Sequence, residues 1–253
     1  MKSFLSKTNS YKVFGKTSSN GGNRMAVVEQ PMNPQDSGIP VTVLVENSQR
    51  CDTKFRFFYP DSLEAPLCGH ALLGAAQTIE KDHFYVETGA GAYEVKKQGQ
   101  KTFVKLSAFS SIDLNFTEEP KASLFGLEKT DMDVKGIFSA GKAKLVIEVS
   151  SLEKLNALIF DVDALATWNE GKNFSGYILY TVEEGKIYAR ASNPLFNVPE
   201  DSACAVCCAA LPLNILMDTH SFSVLMGSPS FDNELYIQHT NEGVWVGGNV
   251  FSN

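Results

Sequence analysis

The first part of the chain is a series of short runs in which apolar positions recur at every second residue or fill the run entirely. Tyr11–Phe14, Met25–Glu29, Val41–Val45, Lys54–Tyr59, Tyr93–Lys97 and Thr102–Leu106 are rich in β-branched and aromatic residues and predict strands. In the fourth run Phe55, Phe57 and Tyr59 alternate with Arg56 and Phe58, which gives a pleated strand one mostly apolar face. Cys68–Glu80 follows a different rule: it is apolar nearly all round and contains no proline, so it predicts a buried helix.

The second part repeats this order. Lys144–Val149, Gly176–Thr181, Lys186–Ala191, Phe222–Met226, Glu234–His239 and Val244–Gly247 predict strands. Ser150–Ser151 followed by Glu153 predicts a helix start, with Leu152, Leu155 and Leu158 at helical spacing. A further apolar helix is expected after Glu200. The polar stretch Thr117–Ala122, with Pro120, is the expected linker. It divides the chain into an N-terminal half, 1–116, and a C-terminal half, 117–253, whose last strand is allowed to cross back to the first.

A short repeat ties the halves together. Glu64-Ala-Pro-Leu-Cys68 matches Glu200-Asp-Ser-Ala-Cys204: a glutamate, a cysteine four residues later, then an alanine-rich apolar segment. The two copies lie 136 positions apart, about half the chain. Self-similarity at that spacing predicts two related halves, each with a central helix that begins near a cysteine.

Composition narrows the function classes. Hydrophobic residues are 43% and charged residues 20% of the 253, enough apolar material for a buried core. A net charge of −7 without a basic cluster argues against partners such as nucleic acid or an anionic membrane. MKSFLSKTNS offers only Phe4 and Leu5 as an apolar pair, so no signal-peptide core is expected. The longest apolar stretch, Ala203–Met217, is interrupted by Pro212 and Asn214 and is shorter than the roughly 18 to 20 residues of a membrane span. These features predict a cytoplasmic protein. Its five cysteines, Cys51, Cys68, Cys204, Cys207 and Cys208, are an odd number with three bunched together, which is no secreted disulfide framework.

The repeated cysteines suggest chemistry. A thiol at a helix N-terminus meets unpaired N–H groups and the positive end of the helix dipole, which can lower its pKa from about 8.5 into the roughly 3.5–7.5 range. Two such thiols on opposite faces of an α-carbon next to a carboxylate would exchange its proton, one removing and one delivering, with no cofactor. Donors at the helix ends would stabilise the charge that develops. The competing reading is packing, since cysteine is among the most buried residue types. Cys204-Ala-Val-Cys207 is also a C-x-x-C, but the βαβ unit and intervening proline of a thioredoxin-type redox pair are missing. A zinc site is not expected either: Cys51 stands alone and no H-x₃₋₅-H occurs. Of the four histidines, His70, His83, His220 and His239, only His70 lies in a motif, beside Gly69, where it would contact an anion or shuttle a proton, or else cap the helix. Glu200 and Asp201 would also be explained as plain helix N-terminal acids.

Several segments resemble the phenazine-biosynthesis (PhzF-like) isomerase family. Phe58-Tyr59-Pro60 and Leu67-Cys68-Gly69-His70-Ala71 resemble its F-x-P…CGHAT segment, and Val198-Pro199-Glu200-Asp201 its G-x-x-EDPVTGSAH segment. Gly22-Asn23 with Ala26-Val27-Val28 resembles GNPxAVV, and Met226–Ser230 with Val246-Gly247-Gly248 resembles MGRPS…VGG. The resemblance implies an α+β diaminopimelate-epimerase-like fold: two pseudo-symmetric halves, each a curled, mostly antiparallel sheet around a central helix, with the active site between them. Relatives of that fold, diaminopimelate epimerase and proline racemase, use one cysteine from each half; Cys68 and Cys204 fall at those positions. Phenazine-type members usually carry threonine at the second. Their base is a glutamate where this chain has Val41. Their serine is Val206 here, the glycine after the second cysteine position is Ala205, and their histidine is Cys208. Only twelve residues separate Val28 from Val41, so the helix between them is expected to be shortened.

The resulting expectation is a cofactor-independent isomerase of the racemase or epimerase type, acting on a small carboxylate or amino acid. Cys68, Cys204, His70 and Asp201 are the expected catalytic residues. Asn23, Gly69, Ala205 and Val206 are the expected substrate contacts. No metal is expected, and family members are often dimers, which leaves room for a homodimer. Two alternatives remain: a catalytically silent binding or scaffolding member, and a phenazine-type isomerase whose base has moved to Glu29 or Glu46.

Overall fold

A strand forms where one face can be buried and the other left to water, and both parts of this chain use that rule in the same order. The computed structural model describes residues 8–30, 38–216 and 220–253. The chain divides into two units, one of residues up to 105 together with 247–253 and one of residues 106–246. The helix expected between Val28 and Val41 falls on 31–37, outside the described residues, as do Phe4, Leu5 and Met217.

The first unit contains β1 (Asn9–Val13), β2 (Asn23–Val28), β3 (Thr42–Glu46), β4 (Thr53–Phe58), β5 (Glu64–Ala65), α1 (Gly69–Ala75), β6 (His83–Thr88), β7 (Gly91–Gln98) and β8 (Lys101–Lys105). Strand β1 runs antiparallel to β2, β2 parallel to β3, β3 antiparallel to β4, and β4 antiparallel to β5. Strand β4 is also parallel to β6, and β6, β7 and β8 form an antiparallel meander. Along β4 burial alternates, with Phe55 and Phe57 inward and Lys54 and Arg56 outward. The sheet wraps α1, which packs on β1, β2, β3, β4 and β8. The expected helix Cys68–Glu80 is thus α1, continued by a 3₁₀ turn over Ala76–Thr78.

The second unit contains β9 (Ser110–Ile112), β10 (Met132–Ser139), β11 (Lys144–Val149), α2 (Leu152–Asn156), α3 (Val162–Asn169), β12 (Tyr177–Glu183), β13 (Lys186–Asn193), β14 (Val198–Asp201), α4 (Ala205–Ala209), β15 (Ser221–Met226), β16 (Asn233–Thr240) and the start of β17 (Gly243–Ser252). Its pairings repeat the first unit strand for strand. Strand β10 is antiparallel to β11, β11 parallel to β12, β12 antiparallel to β13, β13 antiparallel to β14 and parallel to β15, and β15 antiparallel to β16. Helix α4 follows β14 as α1 follows β5, and it packs on β12 and β16. The end of β17 belongs to the first unit, where Ser252 pairs with Tyr11 of β1. The stretch Thr117–Ala122 lies within the second unit, with Pro120 and Ala122 buried just before a 3₁₀ turn over Ala122–Phe125. Ser151 caps α2 as its sequence predicts, accepting the Lys154 N–H.

Six elements lie outside the strand and helix pattern read from sequence: β5, β9 and β14, which are only two to four residues long, and β6, β10 and α3, each for a local reason. Strand β10 has a bulge between Val134 and Gly136, which shifts the phase of alternation. Strand β6 buries only Phe84, Val86 and Thr88, between charged or polar neighbours. Helix α3 is held at its start by Asp161, which accepts the Ala164 N–H, rather than by a long apolar stripe.

The approach of α1 to its sheet depends on Gly74. A Cβ there would overlap the Met25 sulfur and lie 2.9 Å from Met25 Cγ and 3.2 Å from Val13 Cγ2. Met25 and Val13 are fully buried, so any shift they make displaces packed neighbours. Gly74→Ala is therefore expected to destabilise the protein by about 1–2 kcal/mol, since overpacking outweighs the helix propensity gained. Denaturant unfolding measures this; a variant as stable as the parent would refute the tight packing.

Candidate active site

The segments that lead to the two cysteines are built alike. In the first unit β4 turns through Tyr59–Leu63, with Ser62 in the left-handed region at φ 66°, and returns as β5. Arg56 on β4 grips Glu64 on β5 with both ends of its fork: Nε donates to Oε1 at 2.8 Å and Nη2 to Oε2 at 2.7 Å. The chain then passes Pro66, whose carbonyl accepts the Ala90 N–H at 3.0 Å. Gly89 makes room, since a Cβ would stand 2.9 Å from Pro66 Cα. Cys68 follows as the N-cap of α1, in extended geometry, and its carbonyl accepts the Leu72 N–H at 2.9 Å. Its side chain does not cap the helix; Sγ lies 3.5 Å from His70 Nδ1.

In the second unit β13 turns through Pro194–Asn197, with Asn197 in the left-handed region at φ 54°, and returns as β14. Arg190 on β13 grips Glu200 on β14 in the same fork, at 2.8 and 2.7 Å. Arg190 is 8% exposed, and its Nη1 also donates to the carbonyls of Leu155, Asn156 and Leu158 at the end of α2. Asp201 Oδ1 accepts the Ala203 N–H at 3.1 Å, and Asn233 Nδ2 fixes the Ser202 carbonyl at 2.9 Å. Cys204 then takes the N-cap of α4, and its carbonyl accepts the Cys208 N–H at 3.0 Å. The two copies of the Glu…Cys motif thus share an arginine clamp, a left-handed turn and a cysteine N-cap.

Here the copies diverge. The Cys204 sulfur lies 3.0 Å from the Cys207 sulfur, and Asn193 Nδ2 stands 3.8 Å from the first and 3.9 Å from the second. The Asn193 oxygen accepts from Lys144 Nζ at 2.5 Å, and Lys144 also donates to Ser175 Oγ at 3.3 Å. Lys144 is 2% exposed and Asn193 8%. Gly176 creates the space: a Cβ at that position would collide with the Asn193 amide and stand 2.8 Å from the Ser192 carbonyl oxygen.

The electrostatics of this cluster differ from the simple helix-end thiolate. The hydrogen bond that Cys204 gives to Cys207, together with burial, pushes the Cys204 thiol well above its ordinary range. Burial also acts to raise Cys207. The bond from Cys204, the positive charge of Lys144 and the Asn193 amide overcome it and hold Cys207 below its ordinary range. Cys204 is therefore the harder of the two to ionise and Cys207 the easier, the reverse of the expectation for a cysteine at a helix start. Cys208 is core: its sulfur lies 3.3 Å from Met226 Sδ, and burial pushes its thiol up.

The remaining predicted residues occupy defined places. Gly69 and His70 open α1, half-buried beside Cys68, and Asn23 begins β2, opposite Val13 of β1. Ala205, buried, and Val206, half-buried, form the first turn of α4 beside Cys204, with Asp201 at the end of β14. The structure brings Cys68, Gly69 and His70 together in one unit and Asp201, Cys204, Ala205 and Val206 together in the other. Val41 is 2% exposed, and its carbonyl accepts the Ala26 N–H at 2.9 Å, so no carboxylate exists there. Glu46 is engaged by Lys54 and Arg56, and Glu29 is exposed just past β2. Among the described residues no cluster of three or more His, Cys, Asp or Glu is arranged to hold a metal ion, and no helix is long and apolar enough to cross a membrane. Lys144 and Asn193 had no motif to announce them; the one signal was a lysine opening the apolar run KLVIEV.

Comparison with known proteins shows the family and the fold. Residues 11–228 match the family PhzC-PhzF, described as phenazine biosynthesis-like protein. A phenazine biosynthesis protein of the PhzF family from Bacillus anthracis superposes with a TM-score of 0.76 at 19% identity, over 97% of each chain. Its counterpart from Enterococcus faecalis gives 0.72 at 17% identity, again over 97% of each chain. A protein described as a predicted epimerase from Pseudomonas aeruginosa gives 0.72 at 19% identity, over 98% of this chain and 97% of that one. None of the curated proteins matches the sequence.

Proposed function

The chain belongs to the phenazine biosynthesis-like (PhzC-PhzF) family, and on that premise we propose that it is a cofactor-independent isomerase that moves a proton at a carbon next to a carboxylate. The substrate is a small acid or amino acid, and the reaction is racemisation or epimerisation. The observation that carries the reading is the duplicated clamp: two Arg–Glu forks each deliver a cysteine to a helix N-cap with its sulfur left out of the cap. Cys204, proton-loaded, is the acid; Cys68, beside His70 Nδ1, is the base. In the reverse direction Cys204 hands its proton to Cys207 across 3.0 Å and becomes the base. His70, Asp201, Asn23 and the first turns at Gly69, Ala205 and Val206 bind and polarise the carboxylate. The reading requires both thiols to reach one α-carbon and places the reaction in the cytoplasm.

The test is inversion itself. Small chiral carboxylates and amino acids are incubated with the protein and the configuration is followed by chiral chromatography. Inversion of one of them is expected, and it should be lost in Cys68→Ala and in Cys204→Ala. Inversion undiminished in both variants would sink the two-thiol mechanism. A second reading, a silent family member that binds or scaffolds, is favoured by the buried Val41 where phenazine-type members carry their base; absence of inversion with tight binding of a carboxylate would select it.

A further inference from the structure

Two sulfurs in contact form a chemical group of their own, whatever either does to a substrate. We propose that Cys204 and Cys207 form an oxidisable dithiol site that a small hydroperoxide converts into an intrachain disulfide. Three features carry it. The sulfurs stand 3.0 Å apart, and closing them to about 2.05 Å is a small movement. Cys204 is the extended N-cap of α4 and not a residue inside the helix, so bringing the Cβ atoms to the roughly 3.5–4.5 Å of a disulfide adjusts the entry to the helix rather than breaking a turn. The surroundings are built: Gly176 makes room for Asn193, Asn193 faces both sulfurs, and behind it lies Lys144, which has no carboxylate in ion-pair reach among the described residues. The Lys144 charge and the Asn193 amide both act to ease ionisation of Cys207, which oxidation requires. Cys208, next in sequence, packs against Met226 and lacks that setting.

The chemistry balances. One sulfur of the pair, as thiolate, attacks a peroxide oxygen; an S–O bond forms, the O–O bond breaks, and the hydroxide released takes the proton of the other thiol to become water. The second sulfur, now a thiolate, attacks the oxidised one; the S–S bond forms, the S–O bond breaks, and hydroxide leaves. Two sulfurs are each oxidised by one electron and the peroxide is reduced by two. As a residue Cys204 keeps 8% exposure and Cys207 none, so a peroxide little larger than water is the oxidant suited to reach the pair.

Hydrogen peroxide is the probe. The folded protein, freed of reductant, is treated with it, and thiols are counted after denaturation. The count should fall from five to three and return to five with a phosphine reductant. Trypsin leaves residues 191–253 in one peptide, because no Lys or Arg follows Arg190. That peptide should lose two hydrogens, and fragmentation should place the bond between Cys204 and Cys207. In Cys207→Ser the bond should be absent, while in Cys51→Ser and Cys208→Ser it should persist. A bond to Cys208, loss of the same two hydrogens in Cys207→Ser, or oxidation of Cys51 with no bond in the parent would overturn the proposal. If Cys204 is the acid proposed above, oxidation also stops inversion until reduction; the mass readout stands without that reading, so the two can fail separately.

Discussion

Glu200→Ala is expected to lower the stability of the folded protein by about 3 kcal/mol, whereas Glu64→Ala costs less than about 1 kcal/mol, although the two glutamates make the same forked bond. The difference lies in what each leaves behind. Glu64 and Arg56 are 43% and 34% exposed at the side chain, so water and the nearby Glu46 replace the lost partner. Glu200 and Arg190 are 32% and 9% exposed. Removing Glu200 leaves a guanidinium packed against three carbonyls of the α2 end and the Phe160 ring, with no counter-ion. The loss of a partner from a buried pair usually costs roughly 3–5 kcal/mol, and the partial exposure of Glu200 places this one at the low end. Urea unfolding of the two variants measures the contrast. Equal losses would show that Arg190 is rehydrated as easily as Arg56. Because β14 runs directly into the Cys204 N-cap, the Glu200 variant is also expected to loosen α4, seen as faster labelling of Cys207.

The legible part of the fold was what alternation and repetition encode. Phe55 and Phe57 on β4, KLVIEV on β11 and the two Glu…Cys copies were enough to predict strands, two central helices and two related halves. The α+β class and the family were legible through the resemblance carried by Gly22–Val28, Phe58–Pro60, Leu67–Ala71, Val198–Asp201, Met226–Ser230 and Val246–Gly248. The bulge at Gly136 hid β10 because one extra residue reverses which face each side chain takes. The site was legible only as far as sequence neighbours reach. Cys68 with His70, and Cys204 with Cys207, are close in the chain. Lys144 and Asn193 are 49 residues apart, and they meet because β11 pairs with β12 and β12 with β13. They act to lower the Cys207 thiol, while the bond to Cys207 and burial reverse the expectation for Cys204, which the position at a helix start alone could not foretell.

If the two thiols work from opposite faces of one carbon, their single variants should fail in opposite ways. In deuterated water the parent enzyme takes the α-hydrogen of either hand of its substrate and delivers a deuteron from the other side. Cys204→Ala keeps the Cys68 thiol, so the hand presented to Cys68 still exchanges its α-hydrogen, with retention, while the other hand is inert. Cys68→Ala keeps the Cys204–Cys207 pair and shows the mirror pattern. Inversion falls about 10²–10⁴-fold in both, the usual worth of a positioned acid or base. Serine at either position should not restore it, because an alcohol does not ionise near neutral pH without a further base. The exchange pattern separates proton transfer from mere misfolding, since an unfolded variant loses both hands together. Exchange of both hands by either variant would mean that one group serves both faces, and the duplicated cysteine would then be a structural remnant of the repeat. The protonation of the two sites predicts an asymmetry as well. Cys204 begins as the donor in its pair with Cys207, so the hand that needs a deuteron from Cys204 reacts first and the opposite hand waits for the proton to cross to Cys207.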